Sequence, residues 1–209
     1  MKNFGKIVIY ENLKEIVNPE HTALVIWDVQ NALVGSVFNK EDFAKKIKIL
    51  VDRAKYKNMP VVYTKITPLP KEYESSWRLY MSMRRYNIDD PEKLPQFMKP
   101  GSPEAGILDS IKPDSNDIVI NKHTASIFIG THFEHMMRNK GITTLLFTGI
   151  ATEFGIDSSA RDAANRGFYP IVVEDCVSSS DKEMHEAALK SMKRVTIVSN
   201  SFEILKTWE

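Results

Sequence analysis

Residues 144–163 constrain the fold of this chain most strongly. They begin with the apolar run Thr-Leu-Leu-Phe, continue through a turn that contains Gly149 and Gly155, and lead into a segment whose small and apolar residues recur at helical spacing. This order predicts a buried strand, a tight turn and a helix. A turn of this kind presents free backbone N–H groups, which can bind an anion or a developing oxyanion.

The same alternation of strands and helices extends over most of the chain. Continuous apolar runs predict six strands that are covered on both faces, at residues 22–28, 61–64, 117–121, 143–148, 170–174 and 195–198. Helical periodicity predicts four intervening helices, at residues 41–57, 132–140, 152–166 and 181–193. This pattern predicts an α/β fold, a three-layer α/β/α sandwich with right-handed crossovers around a parallel sheet.

Residues 68–113 interrupt this alternation. They contain seven of the ten prolines and several aromatic residues, and we expect one short helix near residues 75–85. A connection of this length more often serves a function than merely joins two elements. Arginines among aromatic residues suit a planar or carboxylated small molecule, and they suit a subunit interface equally well. The candidate substrate-binding residues are Trp77, Arg78, Arg84 and Arg85.

Length, charge and cysteine content limit the class of protein. A chain of 209 residues fits one domain, so we expect residues 1–209 to form a single unit. The 28 basic and 27 acidic residues nearly cancel, which gives no reason to expect nucleic acid or an anionic membrane as a partner. With one cysteine, no signal-peptide pattern and no membrane-spanning apolar run, the sequence predicts a cytoplasmic protein.

Three motifs together resemble the isochorismatase-like hydrolases, the cysteine hydrolase superfamily that includes nicotinamidases and N-carbamoylsarcosine amidases. The first is Gly-Ile-Ala-Thr at residues 149–152 with Ala-Arg-Asp-Ala at residues 160–163. The second is the strand that ends in Asp28, and the third is the strand that leads to Lys122. The similarity covers roughly residues 22–202. It implies a Rossmann-like parallel sheet of six strands in the order 3-2-1-4-5-6.

The resemblance also implies roles for individual residues. Asp28 would be the catalytic acid or base, although a carboxylate at a strand end can also simply cap a loop. Lys122 would be its electrostatic partner. The Ile150–Ala151 bond would be a non-proline cis peptide, and the amides of Ala151 and Gly155 would form the oxyanion hole. In the implied strand order, the first and fourth strands meet at the topological switch point, so Asp28 would lie beside this turn.

Gly155 stands where most members of the superfamily carry the nucleophilic cysteine. A glycine cannot form the covalent intermediate, and Cys176, at the end of another strand, is best interpreted as a packing residue. The isochorismatases themselves have glycine at this position and cleave a vinyl ether with the aspartate as general acid. We therefore expect hydrolysis of a small molecule, with a vinyl ether as the first candidate and Asp28 as the acid.

Two alternatives stay open. The segment Ala-Thr-Glu at residues 151–153 is closer to nicotinamidases, which favours amide hydrolysis by water, and a deliberate exchange of cysteine for Gly155 would make covalent amide hydrolysis the parental activity. A pseudoenzyme that binds a ligand or serves as a scaffold is the non-enzymatic alternative.

No metal or cofactor is expected, because His132 and His135 lack a third ligand and no histidine lies between His21 and His123. By analogy, we expect a homo-oligomer, a dimer or a tetramer.

Overall fold

A computed structural model describes residues 1–209. The strands are β1 (Lys2–Phe4), β2 (Ile7–Ile9), β3 (Thr22–Trp27), β4 (Val61–Ile66), β5 (Ile118–Lys122), β6 (Thr144–Ile150), β7 (Tyr169–Ser178) and β8 (Ile197–Ser199). The helices are α1 (Leu13–Ile16), α2 (Asn31–Val34), α3 (Lys40–Tyr56), α4 (Ser76–Tyr86), α5 (Phe133–Asn139), α6 (Asp157–Asn165), α7 (Lys182–Met192) and α8 (Ser201–Thr207).

The main sheet has six parallel strands in the order β5-β4-β3-β6-β7-β8. Numbered along the chain, this is the order 3-2-1-4-5-6, so the predicted α/β fold and strand order are confirmed. The carboxyl ends of the central pair β3 and β6 lie side by side, with Trp27 opposite Gly149 in register. The topological switch point therefore lies between these two strand ends.

Two apolar clusters cover the two faces of the sheet. One includes side chains of α3 and α8, and the other includes side chains of α5 and α6. Successive residues of β3 point to opposite faces, so Leu24 and Ile26 belong to the first cluster, whereas Val25 and Trp27 belong to the second. The indole of Trp27 is thus directed toward the layer that contains α6.

Some elements differ from the sequence-based expectations. The helix expected at residues 152–166 begins as a π-helical turn at Thr152–Ile156 and becomes α-helical only from Asp157. The C-terminal helix α8 was not expected; it begins at Asn200, whose side chain accepts a hydrogen bond from the Glu203 amide. The helix has only two turns, so its apolar periodicity is too short to be recognised in the sequence.

The segment that connects β4 to β5 contains one α-helix and several single 3₁₀ turns. The expected helix near residues 75–85 is present as α4, and the turns are Lys71–Tyr73, Pro91–Lys93, Pro103–Ala105 and Asp109–Ile111. Two of these turns have a proline at their first position, where its missing N–H costs nothing. No helix of the chain is both long enough and apolar enough to cross a membrane.

Candidate active site

Asp28 and Lys122 form a buried ion pair at the carboxyl edge of the sheet. The Nζ atom of Lys122 lies 2.6 Å from Oδ2 of Asp28, and it also donates to the carbonyl oxygen of Thr124 at 3.2 Å. Each of the two charged residues is only 1% exposed. The strand ends therefore bring together the two residues that the sequence singled out for acid–base chemistry.

Thr64, within β4, holds the carboxylate of Asp28 in place. Its hydroxyl accepts a hydrogen bond from the Asp28 amide at 3.0 Å and donates one to Oδ1 of Asp28 at 2.5 Å. Asp28 itself has a positive φ of 48°, a left-handed backbone conformation that aspartate and asparagine tolerate better than most residues. One hydrogen bond from Thr64 and the ion pair with Lys122 thus orient the Asp28 side chain, and a second hydrogen bond with Thr64 holds its backbone amide at a strained position.

Burial moves the pKa values of the two groups toward each other. Loss of hydration raises the pKa of the Asp28 carboxyl above its ordinary value, and the Lys122 ammonium and the hydrogen bond from Thr64 oppose this shift. Burial also lowers the pKa of the Lys122 ammonium, and the charge of Asp28 opposes that shift. The two groups, 2.6 Å apart, are therefore closer to each other in basicity than they are in water.

Replacement of Thr64 by valine is expected to destabilise the protein by about 1–3 kcal/mol, because a methyl group leaves both the Asp28 amide and one carboxylate oxygen without their partner. The measurement is urea-induced unfolding. Thr64→Ser is the matched control, since it keeps the hydroxyl and should lose much less stability. Equal losses for both variants would contradict the assigned hydrogen bonds.

The turn that follows β6 has the cis peptide bond that the resemblance implies, but its Gly155 amide is not free as an oxyanion hole would require. The Ile150–Ala151 peptide bond is cis, and Gly149 has a φ of 120°. A Cβ atom at Gly149 would lie 2.0 Å from the Trp27 carbonyl oxygen, so this position admits only glycine. The Gly155 amide, expected in the oxyanion hole, donates to the Ala151 carbonyl at 3.1 Å, and an anion would compete with this bond.

The indole ring of Trp27 occupies the space next to Gly155. An ideal Cβ atom at Gly155 would lie 1.9 Å from Cη2 and 2.0 Å from Cζ2 of this ring, far inside any van der Waals contact. The same ring lies against Lys122, whose Nζ atom is 3.4 Å from the ring centroid. The indole ring, which is 4% exposed, therefore lies between the turn at Gly155 and the ammonium group of Lys122.

The four predicted substrate-binding residues lie on α4, and one of them reaches the neighbourhood of the ion pair. Arg78 donates to the carbonyl oxygen of His123 at 2.9 Å, forms an ion pair with Glu74, and its charge acts on Lys122. Trp77, by contrast, is 67% exposed and stacks on Tyr80. The structure does not bring the exposed residues Arg84 and Arg85 into contact with Asp28 or Lys122.

A cavity of about 530 Å³ lies within the segment that connects β4 to β5. Arg78, Arg85 and Tyr86 from α4 line it together with Phe97 and a series of prolines. Pro68, which also lines it, comes one residue after Thr67, whose amide bonds to the Lys122 carbonyl oxygen. The cavity therefore lies at the same edge of the sheet as the ion pair and contains cationic groups.

The other side chains considered from the sequence lie away from this chemistry. Cys176 is fully buried in the cluster that includes α3, and burial raises the pKa of its thiol. No three His, Cys, Asp or Glu side chains are close enough together to hold a metal ion.

Two side chains of the site were not recognised in the sequence as part of it. The sequence places Thr64 and Trp27 only within the predicted strands at residues 61–64 and 22–28. The sequence shows a large aromatic residue directly before the strand-end aspartate and a glycine at position 155, but nothing in it indicates that the two positions meet. Only the strand register, which places Trp27 beside the turn, connects the two positions.

Comparison with known proteins agrees with this architecture. The family model described as the isochorismatase domain matches residues 22–203. The chain belongs to the isochorismatase family of hydrolases. It is 29% identical over 197 residues to the ureidoacrylate amidohydrolase RutB of Methylobacterium radiotolerans, a match that covers 85% of this chain and 75% of that protein.

Solved structures of this family share the fold. An isochorismatase family protein from Burkholderia thailandensis superimposes with a TM-score of 0.74 at 24% identity, over 90% of this chain and 96% of that one. The N-carbamoylsarcosine amidase from Thermoplasma acidophilum superimposes with a TM-score of 0.67 at 22% identity, over 86% of this chain and 96% of that one. At these identities the structural similarity establishes the isochorismatase fold alone.

Proposed function

We propose that this isochorismatase-family protein hydrolyses a small molecule by acid–base catalysis at Asp28 and Lys122, with no covalent intermediate at position 155. The observation that carries the proposal is the overlap between Trp27 and the space of any side chain at Gly155. The family nucleophile would have to extend into a volume that an indole ring fills. The only thiol of the chain, Cys176, is buried in the cluster on the other face of the sheet from Trp27.

The ion pair supplies the proton that such a reaction needs. Because burial raises the pKa of Asp28 and lowers that of Lys122, the ammonium can return a proton to the carboxylate after Asp28 has donated one. The hydroxyl of Thr64 binds Oδ1, so the proton passes through Oδ2. Water is then the nucleophile, and the protein has to supply only orientation and proton transfer.

A vinyl ether is the first candidate substrate because this chemistry requires no protein nucleophile. Asp28 protonates the enol-ether carbon, and water adds to the resulting oxocarbenium ion and returns a proton to the Asp28 carboxylate. The hemiketal then collapses to a carbonyl compound and an alcohol. The cavity at the same edge of the sheet as the ion pair, lined by Arg78 and Arg85, favours a substrate that carries a carboxylate.

Amide hydrolysis is the second candidate, and the relatives favour it. The similar protein from Methylobacterium radiotolerans is named an ureidoacrylate amidohydrolase. In this chain water would attack the carbonyl carbon while Asp28 accepts its proton and passes it to the leaving nitrogen. In either reaction the substrate reaches Asp28 only if a covering side chain moves, because the carboxylate is enclosed.

The test is a turnover screen of the purified protein with isochorismate and related vinyl ethers, and with ureidoacrylate, nicotinamide and N-carbamoyl amides. Asp28→Asn keeps the shape and tolerates the left-handed backbone, and we expect it to lower kcat by about 10²–10⁴-fold. Asp52→Asn on α3 is the matched control; Asp52 pairs only with Lys48 at the surface, and activity should not change.

The outcomes separate the candidates. Hydrolysis of vinyl ethers that is lost in Asp28→Asn supports the acid mechanism. Turnover of amides that depends on Asp28 replaces the first substrate class with the second. A substrate that is hydrolysed equally well by Asp28→Asn contradicts the proposed catalytic role, and binding of these compounds without any turnover supports a ligand-binding protein.

A further inference from the structure

The ammonium group of Lys122 rests on the face of an aromatic ring. Its Nζ atom is 3.4 Å from the centroid of the Trp27 ring, well within the distance at which a cation is attracted by the ring quadrupole. Lys122 is 1% exposed and Trp27 is 4% exposed, so neither partner is screened by water. Desolvated pairs of this kind are the strong cation–π interactions.

The partners of Lys122 are few. Of the three N–H groups of an ammonium, two have oxygen acceptors, on Asp28 and Thr124. Two other charged groups lie nearby. The Arg78 guanidinium, from α4, acts against the positive charge of Lys122, and Glu74 partly neutralises Arg78 through an ion pair. The ring face is thus the remaining attractive partner for a cation that burial destabilises.

Shape, and not the indole N–H, fixes the ring in this position. The Nε1 atom of Trp27 is buried and has no hydrogen-bond partner, so it contributes nothing that orients the ring. The absence of a side chain at Gly155 gives the ring its space. A phenylalanine at position 27 would therefore keep an aromatic face and lose no hydrogen bond.

We propose that Trp27 is a positioning residue, which holds Lys122 in its charged form and against Asp28 through the face of its ring. In this chain the Trp27 ring fills the volume between Lys122 and Gly155. The inference rests on the proposed function only for its catalytic consequence, because the state of Lys122 can be measured without any substrate.

The experiment is an NMR titration of protein labelled with ¹⁵N at the lysine Nζ atoms, with Lys122→Met to assign the signal. In Trp27→Leu we expect the pKa of Lys122 to fall by about one unit relative to the parent, since the cation–π partner is lost. Trp27→Phe, which keeps a ring, should shift the pKa by less than half as much. An unchanged pKa in Trp27→Leu would overturn the proposal.

A second measurement needs no substitution at position 27 and decides the question if Trp27→Leu does not fold. In the parent protein, the ring current of Trp27 should shift the Hε protons of Lys122 upfield of those of all other lysines. Ordinary Hε shifts would overturn the proposal. Neither result depends on turnover, so a failure of the hydrolysis screen and a failure of this inference are distinguishable.

Discussion

Gly155→Ala is expected to lower the free energy of unfolding by about 3 kcal/mol, the upper end of the usual cost of overpacking a core. The added Cβ atom would lie 1.9 Å from the Trp27 ring, and a ring enclosed by other side chains has little room to retreat. Urea-induced unfolding, monitored by circular dichroism, measures the loss.

Two controls make the result specific. Gly35→Ala adds the same methyl group at a position where the nearest atom is 3.4 Å away, and it should change stability by less than about 1 kcal/mol. In a Trp27→Leu background the cost of Gly155→Ala should fall by about 2 kcal/mol, because the smaller side chain leaves space at position 155. If Gly155→Ala cost the same in both backgrounds, the two positions would not be in contact.

Breaking the ion pair is the second large effect. Asp28→Asn and Lys122→Met are each expected to destabilise the protein by about 3–5 kcal/mol, because each leaves one buried charge without its partner. The variant with both substitutions should lose less than the sum of the two single losses. A purely additive double variant would show that the two groups do not interact.

The two single variants should respond to pH in opposite directions. In Lys122→Met the buried Asp28 carboxyl keeps a pKa raised above its unfolded value of 3.8, so the folded state binds more protons and stability falls as pH rises above 3.8. In Asp28→Asn the Lys122 pKa is lowered from 10.5, the folded state binds fewer protons, and stability rises as pH increases toward 10.5.

Urea titrations at several pH values, with each variant compared with the parent at the same pH, measure these trends. The destabilisation of Lys122→Met should shrink toward acidic pH, and that of Asp28→Asn should shrink toward alkaline pH. If both differences stayed constant with pH, burial would not be the cause of the shifted pKa values.

The sequence was sufficient for the sheet and for the ion pair. Apolar runs of strand length, separated by helical periodicity, predicted all six parallel strands, and the resemblance implied their order. Asp28 and Lys122 are far apart in the chain, but each follows an apolar run. The carboxyl ends of parallel strands share one edge, so these local patterns are consistent with the pairing of Asp28 and Lys122 that the resemblance implied.

The sequence was not sufficient to predict that Trp27 packs between Gly155 and Lys122. The contact between Trp27 and Gly155 depends on the register of two neighbouring strands and on the space left by a missing side chain, and neither has a local signal. The hydroxyl of Thr64 likewise became part of the site only through the pairing of β4 with β3. The proline-rich connection has no periodicity from which its cavity could be predicted.

The close fit of Trp27 against Gly155 also restricts how this site can change in evolution. A single mutation that places a cysteine at position 155 would force a side chain into the volume of the Trp27 ring, so it would destabilise the fold before the thiol could contribute any activity. Substitution of Trp27 by a smaller residue would have to come first, at the expense of the contact with Lys122. The two positions are therefore epistatic, and the order of substitutions decides which catalytic chemistries the lineage can reach.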